Sequence, residues 1–207
     1  MRTPVSASMS LFLAALLVAA CASGSPAQTA PSAATSTTTA TAVPSGEVSP
    51  SGTAGPFSAT DIAWLQLTVA MNERLLPVLD MVPSRTTDPA WRTFAARLAA
   101  AHRADLGTAR RLLAESGAPA TNPHEGHDMP GMVTEQELTA LRSVTGVAFQ
   151  RLVGQHVRAH LQQAVRIATA EQRSGVYAAT TALATEVVRV GGTELARLDR
   201  LDRPPRA

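Results

Sequence analysis

Apolar residues recur with a helical period through most of residues 59–201, and no stretch alternates as a half-buried strand would. Ser58-Ala59-Thr60-Asp61 is a capping-box start, and Ile62, Leu65, Val69, Leu76 and Leu79 follow it at helical spacing toward Val82. This predicts a first helix over about 59–82, with Pro77 either kinking it near residues 73–77 or ending it early. Asp88-Pro89 supplies an N-cap and a first-turn proline for a second helix, whose stripe of Trp91, Phe94, Leu98, Leu106 and Leu112 runs to a stop at Gly117. Residues 118–133, rich in Pro, Gly, His and Met, read as a loop, and Thr134-Glu135-Gln136-Glu137 caps a short third helix. A fourth helix is expected over about 147–172, with Phe149, Leu152, Val157, Ala164 and Ile167 on its apolar face. A last one runs from about Tyr177 to Leu201 and is expected to be interrupted at Gly191-Gly192. The predicted class is all-α: an antiparallel four-helix bundle of two helical hairpins plus a short linking helix.

The first 56 residues show no such pattern. Residues 1–20 carry a basic start at Arg2 and an apolar run from Met9 to Ala20, too short to span a bilayer comfortably and suited to a signal-peptide core. The run ends Val18-Ala19-Ala20-Cys21, which resembles the lipobox of bacterial lipoproteins, so Cys21 is the expected acceptor of a lipid anchor on the membrane. It is the one cysteine of the chain, which excludes an intrachain disulfide. Residues 22–56 are Ser, Thr, Ala, Pro and Gly with one charge, Glu47, the composition of a disordered tether. A flexible coil of that length spans about 30 Å. The domain proper is then 57–207. All 18 basic residues are arginine, set against 16 acidic ones, so the near balance argues against a nucleic-acid partner.

Several clusters offer chemistry. His124-Glu125-Gly126-His127-Asp128-Met129-Pro130-Gly131-Met132 places two imidazoles and two thioethers in nine residues. Thioethers select soft ions, so this loop suits copper or silver, while structural zinc is disfavoured because the domain has no cysteine. The bland alternative is a polar connection whose methionines pack on the bundle end and whose histidines are solvated. His156 and His160 stand at i and i+4 on the fourth helix, one above the other on a stripe shared with Leu152, Ala164 and Ile167. Their partners are a metal, a carboxylate or a backbone carbonyl from a neighbouring helix. His102 and Asp105 read as an exposed surface pair. No serine is framed as a nucleophile elbow and no Glu-x-x-His motif is present, so an enzyme is not expected.

Met71 to Asp105 and His160 to Glu194 are both separated by 34 residues, and each carboxylate precedes a leucine, Leu106 and Leu195, as if one hairpin had been used twice. The start Phe57-Ser58-Ala59-Thr60-Asp61, the loop Gly126 to Met132 and the turns His102-Arg103-Ala104-Asp105-Leu106 and Gly191-Gly192-Thr193-Glu194-Leu195 together resemble the bacterial domain of unknown function 305 family, from Phe57 to about Leu201. The resemblance implies a ferritin-like bundle of two duplicated hairpins in the cell envelope, with copper or silver binding in some members. The family's His-His pair in the first helix of each hairpin is altered here. Met71-Asn72 replaces the first pair, Leu161 follows His160 in the second, and His156 stands where a methionine is expected.

Two metal sites are therefore expected. One is the loop, through His124, His127, Met129 and Met132, the better candidate. The other is the bundle interior, through His156, His160 and Met71, with Asp105 or Glu194 orienting the imidazoles. The competing expectation is a structural lipoprotein that keeps the fold, has lost the ligands and presents its helices to another envelope protein.

Overall fold

The structure is a computed structural model that describes residues 56–202; the leader, Cys21 and the tether lie outside the described residues. Five helices follow in order: α1 Ala59–Arg85, α2 Pro89–Ser116, α3 Glu135–Arg142, α4 Gly146–Ser174 and α5 Ala178–Leu201. The start signals act as the sequence suggests. Ser58 and Thr134 each close a capping box, Asp88 accepts from the Ala90 and Trp91 amides, and Gly117 ends α2 in the left-handed conformation at φ 70°.

Two expectations need correction. Of the two outcomes allowed at Pro77, the early stop does not occur: α1 continues through Pro77 and Pro83 to Arg85, because Leu75, Val78, Leu79 and Val82 on its inner face are all buried. Packing against neighbours outweighs the local loss of a backbone hydrogen bond at each proline. Nor is α5 interrupted at Gly191-Gly192. Gly191 is buried where α5 crosses α4, and a Cβ there would stand 2.6 Å from Val165 Cγ2. Glycine at that position serves close helix approach, not a break.

The four long helices form a square in which α1 packs on α2 and α4, and α5 packs on α4 and α2. Contacts between the ends fix the directions. The Gln150 amide near the start of α4 donates to Thr86 past the end of α1, while the amides of Val176 and Tyr177 after α4 donate to Asp61 at the start of α1. Likewise Arg97 early in α2 pairs with Glu194 late in α5, and Tyr177 before α5 donates to Glu115 at the end of α2. Every adjacent pair is therefore antiparallel, and α3 bridges the two hairpins. The core has two main apolar clusters, one at the Trp91, Phe94, Phe149 end and one around Leu65, Leu112 and Ala184. Between them lies a smaller group of Ala70, Met71, Met132 and Ala164. Apolar layers at both ends leave the polar side chains of the middle without easy access to water. None of the described helices is long and apolar enough to cross a membrane.

Candidate functional site

The apolar stripe of α2 has a gap in it. His102 follows Leu98 by four residues and precedes Leu106 by four, so helical geometry carries it onto the buried face. It is 7% exposed, and the reading of His102 and Asp105 as an exposed surface pair is corrected accordingly. Opposite it on α4, His160 is 1% exposed, and the two rings meet edge to face with centroids 4.9 Å apart. Thr68, Met71 and Asn72 of α1, Asp105 of α2, Ala164 and Ile167 of α4 and Val187 of α5 complete the walls of a cavity between them. Its volume open to a water-sized sphere is about 20 Å³. That is room for about one water-sized occupant.

The protonation states are set by burial. Desolvation pushes His102 down to about 4 against a partial pull from Glu194, and it holds His160 well below the usual imidazole range, helped by His102 itself. Both rings are neutral at pH 7, so each has one N–H and one lone pair. His102 Nδ1 lies 2.5 Å from Asn72 Oδ1, an acceptor, which places the proton on Nδ1 and the lone pair on Nε2. His160 Nδ1 is buried with no partner, and the Gly131 backbone beside the ring favours the tautomer with its proton on Nε2. The lone pair of Nδ1 is left over inside the protein, a position that costs about 1–3 kcal/mol unless something fills it. Asp105, raised to about 6 by burial and then by Glu186, is the remaining titratable wall of the cavity.

The other expected site residues are dispersed. His156 does not share the interior with His160. Four residues along a helix is a rise of about 6 Å and a rotation of about 40°, and that is enough to turn His156 toward α3, where its Nδ1 lies 3.9 Å from Glu137. Glu194 is buried at 3% exposure, yet it is held by Arg97 and Arg197 and donates its charge to neither imidazole through a hydrogen bond. The role expected for it, orienting a histidine, falls instead to Asn72, a residue that sequence reasoning noted only as the replacement for a histidine.

The loop also divides. His127 is exposed, and His124 faces a separate groove on α1 and α4 beside Trp64, Leu67 and Ile167. Met129 and Met132 turn the other way and pack with Met71 and Ala164. Apolar thioethers gain by burial and imidazoles do not, so one short loop sends its two kinds of donor to different places. Gly131, at φ 83°, lets the backbone descend onto α4, since a Cβ there would meet Gln163 Cβ at 2.6 Å. Arg74 of α1 ties the loop down through Asp128 at 3.2 Å and the Val133 carbonyl at 3.4 Å. In this structure the four donors expected of the loop do not converge: its histidines face outward, and its methionines pack beside the bundle cavity.

Among the described residues, no three His, Cys, Asp or Glu side chains are arranged to hold an ion. The cavity offers two imidazoles and the Met71 thioether, with the Asp105 carboxyl, the Asn72 amide and the Thr68 hydroxyl also on its walls.

Comparison with known proteins places this architecture. Among the solved structures that match, two have TM-scores of 0.63 and 0.64. The first, from Streptomyces coelicolor, is named as an inferred secreted DUF305 protein; it is 20% identical, and the match covers 69% of this chain and 91% of that one. The second, a DUF305 fragment from Deinococcus radiodurans, is 17% identical, and the match covers 71% of this chain and 97% of that one. At such identities the likeness shows the fold. No curated protein matches the chain. The profile of DUF305, a domain of unknown function, matches residues 61–201, well over half of the sequence and all of the helical domain but its edges, and the chain belongs to that family.

Proposed function

We propose that the domain binds one soft monovalent ion, Cu(I) or Ag(I), in the cavity at the middle of the bundle, as an exported lipoprotein held to the membrane through Cys21. The observation that carries this reading is the buried, partnerless Nδ1 of His160 beside a second neutral imidazole, His102, in a cavity that also has a thioether wall. His160 Nδ1, His102 Nε2 and Met71 would hold the ion, a mixed nitrogen and sulfur set that suits soft d¹⁰ metals. Asn72 fixes the His102 ring in the tautomer that binding needs, the part usually taken by a carboxylate or carbonyl behind a metal-bound histidine. The role is binding, not catalysis. Export is supported by the lipobox-like Val18-Ala19-Ala20-Cys21 and by the name of the Streptomyces coelicolor relative.

A second reading has its own observation. His102 Nδ1 already has Asn72 as its partner, so the pair also reads as a polar network retained for packing, with the helices serving an envelope partner. Anaerobic calorimetric titration with Cu(I), run on the wild type, on His160→Leu and on the loop variant H124A/H127A, separates the readings. The proposal expects one ion bound by the wild type and the loop variant and none by His160→Leu. Loss of binding in the loop variant alone would return the site to the loop. Absence of binding by all three would leave the interaction protein.

A further inference from the structure

A second buried polar cluster lies at the end of the bundle where α1 begins, three turns along α4 from His160. Asp61 is fully buried, and its carboxylate is saturated with donors: the Ser58 amide at 2.7 Å, the Ser58 hydroxyl at 2.6 Å, and the amides of Val176 at 3.1 Å and Tyr177 at 3.2 Å. These bonds tie the first turn of α1 to the α4–α5 turn, 115 residues away in the chain. Glu171, 1% exposed, lies beside Asp61, yet neither of its carboxyl oxygens has a hydrogen-bond donor from the protein. It sits in the last turn of α4, where unpaired carbonyls oppose a negative charge, and its side chain folds over Gly175 so closely that no Cβ could stand there.

Two adjacent buried carboxyls, one with four donors and one with none, cannot both be ionised at low cost. We infer that Asp61 and Glu171 share a single proton, carried by Glu171 and donated to Asp61, and that this proton closes a latch between the first turn of α1 and the α4–α5 turn. The chemistry is a reversible proton transfer to solvent: the Glu171 O–H bond breaks, its electron pair stays on the carboxylate, and the proton leaves to water. The new anion faces Asp61 from α1, His124 from the loop across the same groove, and Tyr177 at the start of α5, whose hydroxyl is given to Glu115 of α2. Among the described residues no arginine pairs with it. It is therefore driven outward, toward the groove of about 490 Å³ bordered by Ala63, Trp64, Leu67, Ile167 and Ala170.

Burial, then the Asp61 hydrogen bond and charge, push Glu171 up to about 7, while the Ser58 and Tyr177 donors hold Asp61 below its usual value against its own burial. A folded-state value above the unfolded one means that the folded chain binds the extra proton, so this contribution to stability is present at low pH and is lost as pH rises toward 7. Asp61 has the opposite sign, and its contribution is lost only as pH falls below the ordinary aspartate range.

The test uses the full chain with ¹³C-carboxyl glutamate, in a D105N background, because Asp105 adds a slope of its own. One glutamate carbon, absent in E171Q, is expected to titrate near 7. The melting temperature should fall by roughly 5–10 °C between pH 5 and 8 in the parent and stay level in E171Q, which becomes the more stable of the two at pH 8. A Glu171 carbon titrating near the ordinary glutamate value, or an E171Q melting profile with the parent's slope, would overturn the latch.

Discussion

Gly191 and Gly192 sit side by side in α5 in opposite surroundings, and alanine at each measures how much close packing the bundle depends on. Gly192 is exposed with nothing within 4 Å of an added Cβ. There G192A gains the full helix preference of alanine over glycine, roughly 0.5–1 kcal/mol. G191A gains the same preference, but its Cβ must stand 2.6 Å from Val165 Cγ2 across the α4–α5 interface. Val165 is β-branched within a helix and has essentially one χ1 rotamer, so it cannot turn aside and the helices must part or strain. Overpacking of that kind costs about 1–3 kcal/mol. G192A should therefore exceed G191A by about 1–3 kcal/mol, which in a domain of this size is about 4 °C of melting temperature per kcal/mol. Thermal melts followed by circular dichroism and urea midpoints with unchanged slope would measure the gap. Equal stabilisation by both alanines would refute the close-approach account of Gly191. Destabilisation by G192A would mean that the helix is broken there after all.

Other outcomes are expected. Leu98 is fully buried in the core, so L98A should lose about 2–5 kcal/mol in urea unfolding, whereas V147A, at a side chain 70% exposed, should stay within about 0.5 kcal/mol of wild type. D88A removes the acceptor of the Ala90 and Trp91 amides and should cost about 0.5–2 kcal/mol, while D88S should recover most of it. N72A leaves the His102 Nδ1–H without its acceptor and should cost about 1–3 kcal/mol, and N72A with H102L, which removes both partners, should cost less than the sum of the single changes in a double-mutant cycle. Asp105, raised to about 6 by burial, contributes stability at low pH that is lost as pH rises from about 4 toward 6, so D105N should flatten that part of the melting profile and be the more stable form above it.

How far the sequence carried differs between elements and site. The helix starts were legible because a capping box or an Asp-Pro pair acts within four residues, and Ser58, Asp88 and Thr134 behave as their neighbours dictate. Trp91, Phe94, Leu98, Leu106 and Leu112 were legible as the buried face of α2 because a 3.6-residue period is a property of one helix alone. The same period also places His102 on that face, although its polar type points to the surface. Antiparallel pairing followed from the short connections, and the family motifs agreed with it.

What remained closed to the sequence depends on how one helix is turned against another. Whether His156 or His160 meets Met71 is a matter of 40° of rotation, and that angle is set by contacts such as Gly191 against Val165, between residues 26 positions apart. Whether the loop binds through its histidines or covers a cavity with its methionines depends on Arg74 and on the descent of Gly131 onto α4, neither of which has a local signature. The partnerless nitrogen of His160 and the undonated carboxyl of Glu171 are likewise relations, not residues: each is defined by what the rest of the fold fails to place beside it. Local composition and period thus determined which segments became helices and which faces they buried. Only the tertiary structure decided which polar groups those faces shut in together, since hydrogen bonding and desolvation act over a few ångströms in space whatever the distance along the chain.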